Sequence, residues 1–142
     1  MTDDIYKFSF EDFRLLSVHF DLKTEEEKFE IKKNVEVSTN LTIKHSYFTR
    51  EKKLRLIMTI DICGKDLPFS ISVKGGSLYH FPKPVKDKLT LDKIAQINCA
   101  AIAYPYLREI VADIVRRSGL PQLNLPPVNF LGVYEKTLAE KA

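Results

Sequence analysis

The sequence predicts an α+β domain: a four-stranded antiparallel sheet first, then helices packed on one side of it. Three observations carry that prediction. Apolar and polar residues alternate over about residues 12–81, the period of strands with one wet face. Beyond residue 90 the apolar residues recur at helical spacing instead. The breaks between the alternating runs are short, which favours an antiparallel meander. At 142 residues the chain, 1–142, reads as a single domain.

The first strand carries Leu16, Val18, Phe20 and Leu22 on its apolar face, and the charged stretch Thr24–Lys28 ends it. In the second, Val35, Val37, Leu41 and Ile43 alternate with Glu36, Ser38, Asn40, Thr42 and Lys44. Leu54, Leu56, Met58, Ile60 and Ile62 repeat the pattern in the third, with Ile57 on the opposite face. Leu67, Phe69, Ile71 and Val73 mark the fourth. Thr49–Lys53 and Gly64-Lys65-Asp66 have turn composition. Gly75-Gly76 lacks the helix and lysine that a phosphate loop needs, so the pair reads as a bulge or sharp bend.

Lys83–Lys88, with Pro82 and Pro84, is a polar crossover to helices expected over about 90–118 and 130–142. Thr90 is the expected N-cap. Ile94, Ile97 and Ala101 share one face, while Ala95, Cys99 and Ala100 keep much of the rest small. Pro105 is expected to interrupt this pattern and open a second segment at its first turn. There Leu107, Ile110, Val111, Ile114 and Val115 form an amphipathic stripe. Asp113 can pair with Arg117, and Gly119 is a natural stop.

Residues 119–130, GLPQLNLPPVNF, are neither helix interior nor central strand. Pro121, Pro126 and Pro127 fix φ and remove three backbone donors. The run reads as an extended arm whose Leu123, Leu125, Val128 and Phe130 need a neighbouring element, or another subunit, to hold it down. A terminal helix using Leu131, Tyr134 and Leu138 follows. A sheet, a helix and such an arm are suitable walls for a groove that accepts extended nonpolar polypeptide.

With 44% hydrophobic and 29% charged residues, the composition is that of an ordinary globular domain. Met1–Asp4 is acidic and polar, unlike a signal peptide, and the run from Cys99 to Leu107 is too short to cross a bilayer. A cytoplasmic protein without direct membrane insertion is expected. The net charge of +3 is spread over short groups such as Lys32–Lys33, Arg50–Lys53 and Arg116–Arg117, so no nucleic acid is expected. Cys63 and Cys99 read as buried thiols. His19, His45 and His80 fall in separate strands, and Ser38, Ser70 and Ser72 lack a nucleophile elbow. Glu25-Glu26-Glu27 reads as a solvated turn. No catalytic, metal or cofactor site is expected, and the sequence does not look like an enzyme.

Pro105-Tyr106-Leu107-Arg108-Glu109, followed by Leu120-Pro121-Gln122-Leu123-Asn124-Leu125-Pro126-Pro127-Val128-Asn129-Phe130, resembles the signature of the SecB family of bacterial protein-export chaperones. The order and spacing of the two blocks match over Pro105 to Phe130. A weaker likeness covers residues 10–104 through strand order and the double glycine that ends Phe69–Gly76. The resemblance implies a four-stranded sheet with helices on one side and a homo-oligomer, a dimer of dimers, with Ala95, Cys99 and Ala100 at the helix contact between subunits, although the core of a single subunit would explain those small residues too. It implies an ATP-independent holdase without cofactor that binds unfolded preproteins in hydrophobic grooves and passes them to the motor SecA. The polypeptide-binding residues it implies are Leu123, Leu125, Val128, Phe130, Tyr134, Phe20 and Leu22. Leu125→Asp and Phe130→Asp are then expected to weaken binding while leaving the sheet folded. The family's acidic motor-docking positions fall at His19, Lys23 and Ser72, none of them acidic, which marks a divergent basic member. Two alternatives stand beside export. One is a toxin–antitoxin-associated SecB-like chaperone protecting an antitoxin; the other is a module that binds a folded protein or nucleic acid.

Overall fold

The computed structural model describes residues 7–23, 37–121 and 123–141. Strands β1 (Ser9–Leu22), β2 (Ser38–Phe48), β3 (Lys53–Cys63) and β4 (Phe69–His80) form one antiparallel sheet in the order β1-β4-β3-β2. Helix α1 (Lys88–Lys93), a π-helical turn (Ile94–Cys99) and α2 (Ala100–Arg117) follow one another directly, and α3 (Phe130–Lys141) comes after the arm. This is the expected fold class. Only β2, β3 and β4 form the meander, however; β1 pairs with β4 instead of its sequence neighbour. The expected break at Thr24–Lys28, together with Glu25-Glu26-Glu27, Lys32–Lys33, Val35 and Glu36, lies outside the described residues.

Burial on β3 follows the alternation fully. Leu54, Leu56, Met58, Ile60 and Ile62 are each no more than 1% exposed, as suits a central strand roofed by helices. On β4, Phe69, Ile71, Val73 and Tyr79 face the same way. β1 departs from simple alternation because its pairing slips between Phe10 and Asp12 and again between Leu15 and Ser17. Each slip adds one residue to β1 and exchanges its faces. Phe10, Phe13, Val18, Phe20 and Leu22 therefore pack with the core, whereas Leu16, expected beside them, lies over Gly76 on the outer face.

The double glycine does not bend β4, whose pairing with β3 runs unbroken through Met58–Gly75 and Ile57–Gly76. Its reason is close approach. A Cβ on Gly75 would stand 2.5 Å from the Phe13 ring and 3.1 Å from Leu107, and one on Gly76 would stand 3.3 Å from Leu16. The irregularity expected at the glycines sits opposite them, in β1.

Helix α1 starts earlier than expected. Asp87 is its cap, accepting from the Leu89 amide at 3.2 Å and from the Thr90 hydroxyl at 2.6 Å. Those bonds, the Thr90 hydroxyl first, hold the Asp87 carboxyl below its ordinary range. Thr90 thus supports the cap from inside the first turn. The π turn then rotates the buried face. Leu91 and Ala95 are four residues apart, but the next turn inward takes both Cys99 and Ala100, four and five residues on, so Ala95, Cys99, Ala100 and Ala103 meet the sheet. Ile94 and Ile97 are only half-buried and Ala101 is exposed, a correction to a face assigned on uniform helical spacing.

Pro105 does not divide the helix either; it lies inside α2. Its missing amide costs a helix several kilocalories per mole in isolation. Here Tyr104, Leu107, Val111 and Val115 are all buried, and that packing holds the segment together. Asp113 accepts from Arg117 at 3.0 Å and also from Arg116. Gly119 ends the helix at φ 86°, with its amide on the Arg116 carbonyl at 3.1 Å. In α3 the cap is Asn129, whose Oδ1 accepts from the Gly132 amide at 3.2 Å. Phe130 and Tyr134 are buried, whereas Leu131 and Leu138, expected in the apolar stripe, are 47% and 43% exposed.

Gly75→Val is expected to lower stability by about 1–3 kcal/mol, because the added Cβ, with two methyl groups beyond it, must displace the Phe13 ring and Leu107. Urea unfolding followed by far-ultraviolet circular dichroism measures this.

Candidate functional site

The arm is extended, as its prolines require, and lies along the helix layer. Leu120, Leu125 and Phe130 are buried in the common core, while Leu123 and Val128 pack against it half-exposed. Tyr104 of α2 anchors the arm at its centre. Its hydroxyl donates to the Pro126 carbonyl at 2.8 Å, and its ring meets Phe130 edge-on with centroids 5.7 Å apart. Burial pushes the Tyr104 phenol above its ordinary value, with nearby Arg108 opposing, so the hydroxyl remains a donor at neutral pH. Of the other residues expected to contact polypeptide, Tyr134 is buried beneath α3. Phe20 and Leu22 lie half-buried on edge strand β1, where Phe20 stacks on Phe69 at 5.8 Å.

A second apolar surface escaped the sequence. Between β1 and α2 lies an open groove of about 490 Å³ lined by Phe13, Leu15, Tyr106, Ile110 and Ile114. Tyr106 stacks on Phe13 with centroids 4.7 Å apart and rings 15° from parallel. Leu15 is 49% exposed and Tyr106 39%, so part of this surface is open. The consecutive leucines Leu15-Leu16 are the one sequence signal that a period-2 strand is broken there.

The remaining candidates are dispersed. Ala95, Cys99 and Ala100 are 0% exposed within a single chain. Their surface is used against the chain's own sheet, where the Cys99 carbonyl accepts from the Tyr79 hydroxyl at 2.9 Å. His19 and Ser72 are direct cross-strand partners on the outer face, and the Lys23 Nζ donates to the Gly64 carbonyl at 3.2 Å. His80 pairs with Ser9 at the other end of β1, and His45 stands 3.9 Å from Asp92, so the three histidines do not converge. Among the described residues no group of three or more metal-ligating side chains occurs. Cys99 is buried as expected, but Cys63, at the end of β3, is exposed. Among the described residues no helix is long and apolar enough to cross a membrane.

Sheet order, a single helix layer and a proline-fixed apolar arm define a class: two-layer α+β domains that keep apolar contact surface open at their rim. A family model described as preprotein translocase subunit SecB matches residues 8–141, and the chain belongs to the SecB family. The protein-export protein SecB of Verminephrobacter eiseniae is 34% identical over 74 residues, 52% of this chain and 47% of that protein. That of Bordetella avium is 50% identical over 52 residues, 37% of this chain and 30% of that protein. The matched stretches span less than half the length of these curated relatives. A Mycobacterium tuberculosis SecB-like chaperone, solved in complex with a ChAD peptide from an antitoxin, superposes with TM-score 0.67. That match covers 85% of this chain and 87% of the other at 16% identity, a likeness of fold. A Streptococcus agalactiae protein of unknown function gives 0.52 at 13% identity, covering 85% and 98%.

Two outcomes are expected from these contacts. Tyr104→Phe removes the bond to the arm and leaves the Pro126 carbonyl without it, a loss of about 0.5–1.5 kcal/mol. Hydrogen exchange should quicken in residues 123–130 while β3 and β4 keep their protection. In thiol labelling at pH 8, Cys63 should react at once. Cys99, buried and with its thiol pushed up to about 12, should react only on unfolding.

Proposed function

We propose that the protein is an ATP-independent holdase that binds unfolded polypeptide along its apolar surfaces and acts in the cytoplasm in protein export. The observation that carries this reading is the arm. A SecB-family chain lays an extended apolar segment half-open on its helix layer, where a nonpolar client can pack beside it. Leu123 and Val128 offer the open contact, and Leu125, Phe130 and Tyr134 form the floor beneath it. Phe20 and Leu22 extend the apolar surface onto β1. The clients are unfolded preproteins, which fits relatives named protein-export protein SecB.

An antitoxin is the second reading, favoured by one observation: the structural neighbour holds an antitoxin peptide. Transfer to SecA is the step least supported by the residues present. His19, Lys23 and Ser72 offer no negative charge to a basic tail. Assembly is as a homo-oligomer, a dimer of dimers, through the helix layer. Since Ala95, Cys99 and Ala100 are enclosed, the exposed neighbours Asn98 and Ala101 carry that contact.

The burial of Leu125 and Phe130 changes the choice of test, because an aspartate at either position would undock the arm itself. Leu123→Asp and Val128→Asp change half-exposed side chains instead. Each is expected to weaken binding of an unfolded polypeptide about tenfold, with circular dichroism unchanged. Titration calorimetry of the parent should give a negative heat-capacity change with the unfolded client and no binding to its folded form. Equal binding by parent and variants would assign the arm to structural packing alone.

A further inference from the structure

We propose that the outer face of the sheet, opposite the helices, is a docking site for a short acidic and aliphatic segment of a partner protein. This surface is separate from the arm, and the proposal does not rest on the holdase reading.

Strand register assembles the face. Lys44 of β2 pairs with Ile57 of β3, Ile57 with Gly76 of β4, and Gly76 with Arg14 of β1, so one row crosses the whole sheet. Leu16 lies over Gly76 in that row and is 42% exposed. The row is thus cation, aliphatic, aliphatic, cation. Arg55 sits two residues before Ile57 on β3, and Lys74 two residues before Gly76 on β4, so both share the face. Four basic side chains therefore ring an apolar centre.

The relief follows the same pattern. A shallow groove of about 390 Å³ is lined by Leu16, Lys44, Arg55, Ile57 and Lys74. A neighbouring one of about 370 Å³ shares Leu16 and Arg55 and adds Leu78 and the ion-paired Arg14 and Asp12. Two of the carboxylates nearby are already engaged. Asp12 accepts from Arg14 at 2.8 Å and Glu11 faces Lys53 at 3.1 Å. Asp61 shares the face one row beyond Thr59 and Lys74, in register with Ser72, and Asp21 lies a further row on, in register with Ser70. Among the described residues, Lys44, Arg55 and Lys74 have no carboxylate within ion-pair distance. Among the described residues that leaves three cations to meet a ligand.

Charge complementarity selects an acidic occupant, and the Leu16–Ile57–Leu78 surface selects aliphatic groups between its carboxylates. From Lys44 to Arg14 is three strand spacings, about 14 Å, which roughly four to five extended residues span. Nucleic acid fits less well. Aliphatic side chains, not aromatic ones, fill the space between these cations, so bases have no stacking platform.

The test uses the full chain and a fluorescein-labelled synthetic peptide in which glutamates flank leucines, read by anisotropy at 50 mM salt. Arg55→Glu with Lys74→Glu should weaken binding about tenfold, since two attractions become repulsions. Lys83→Glu with Lys86→Glu, on the exposed connection after β4, alters net charge equally and should change it less than twofold. The same peptide with glutamine for glutamate should not bind. Retained suppression of client aggregation by the Arg55/Lys74 double variant shows that it is folded. A parent that fails that assay yet binds the peptide refutes the holdase reading and leaves this one standing. The proposal is overturned if the peptide does not bind, if both double variants lose affinity equally, if the glutamine peptide binds as well, or if oligothymidine binds more tightly at the same salt.

Discussion

Tyr79 stands near the end of the inner strand β4, wholly buried, and its hydroxyl reaches across the layer to the carbonyl of Cys99. Burial raises its phenol far above the ordinary value, so it stays a donor throughout the working pH range. That reach is possible only where the helix comes close, and Ala95, Ala100 and Ala103 let it do so. The spacing so fixed decides where the two flanking tyrosines go. Tyr104 is delivered to the Pro126 carbonyl and holds the arm; Tyr106 is delivered to Phe13 and walls the groove on β1. Both open apolar surfaces depend on how the π turn sets the helix down.

The two sides of the sheet do different physical work. Toward the helices nearly everything is apolar and close-packed, and the free surface consists of what the arm and α2 leave uncovered. Toward solvent, the charge of +3 is not evenly spread, because alternate residues of all four strands gather lysine and arginine into one band. An interaction on one side is governed by area buried and heat capacity, and on the other by salt. Experiments at varied ionic strength therefore separate them.

Much of this was legible in the chain. Simple alternation located the strands, and Leu107, Val111 and Val115 sit where the helical stripe put them. The arm was plain from its prolines. What was missed had local physical causes. Uniform helical spacing failed across Ile94–Cys99 because a π turn holds an extra residue, and no residue type there announces one. Leu16 was put on the wrong face because pairing slips depend on the partner strand as much as on β1 itself. Gly75-Gly76 was correctly seen as unusual, but its cause is the Phe13 ring, more than sixty positions away in sequence. The Phe13–Tyr106 groove and the basic band both require cross-strand register or tertiary contact, which single-chain periodicity does not contain.

The slip at Leu15–Ser17 keeps Leu15 and Val18, three residues apart, on one side of the strand and leaves Leu16 as an extra residue on the other. Leu16 is a supernumerary side chain: removing it would restore regular pairing and leave Phe13, Leu15, Val18 and Phe20 on their present side. The solvent side could thus have acquired its central apolar residue by a one-residue insertion, with no change to the packed interior. The two surfaces are in that sense free to diverge separately, one answering to clients and the other to whatever partner meets the exposed side.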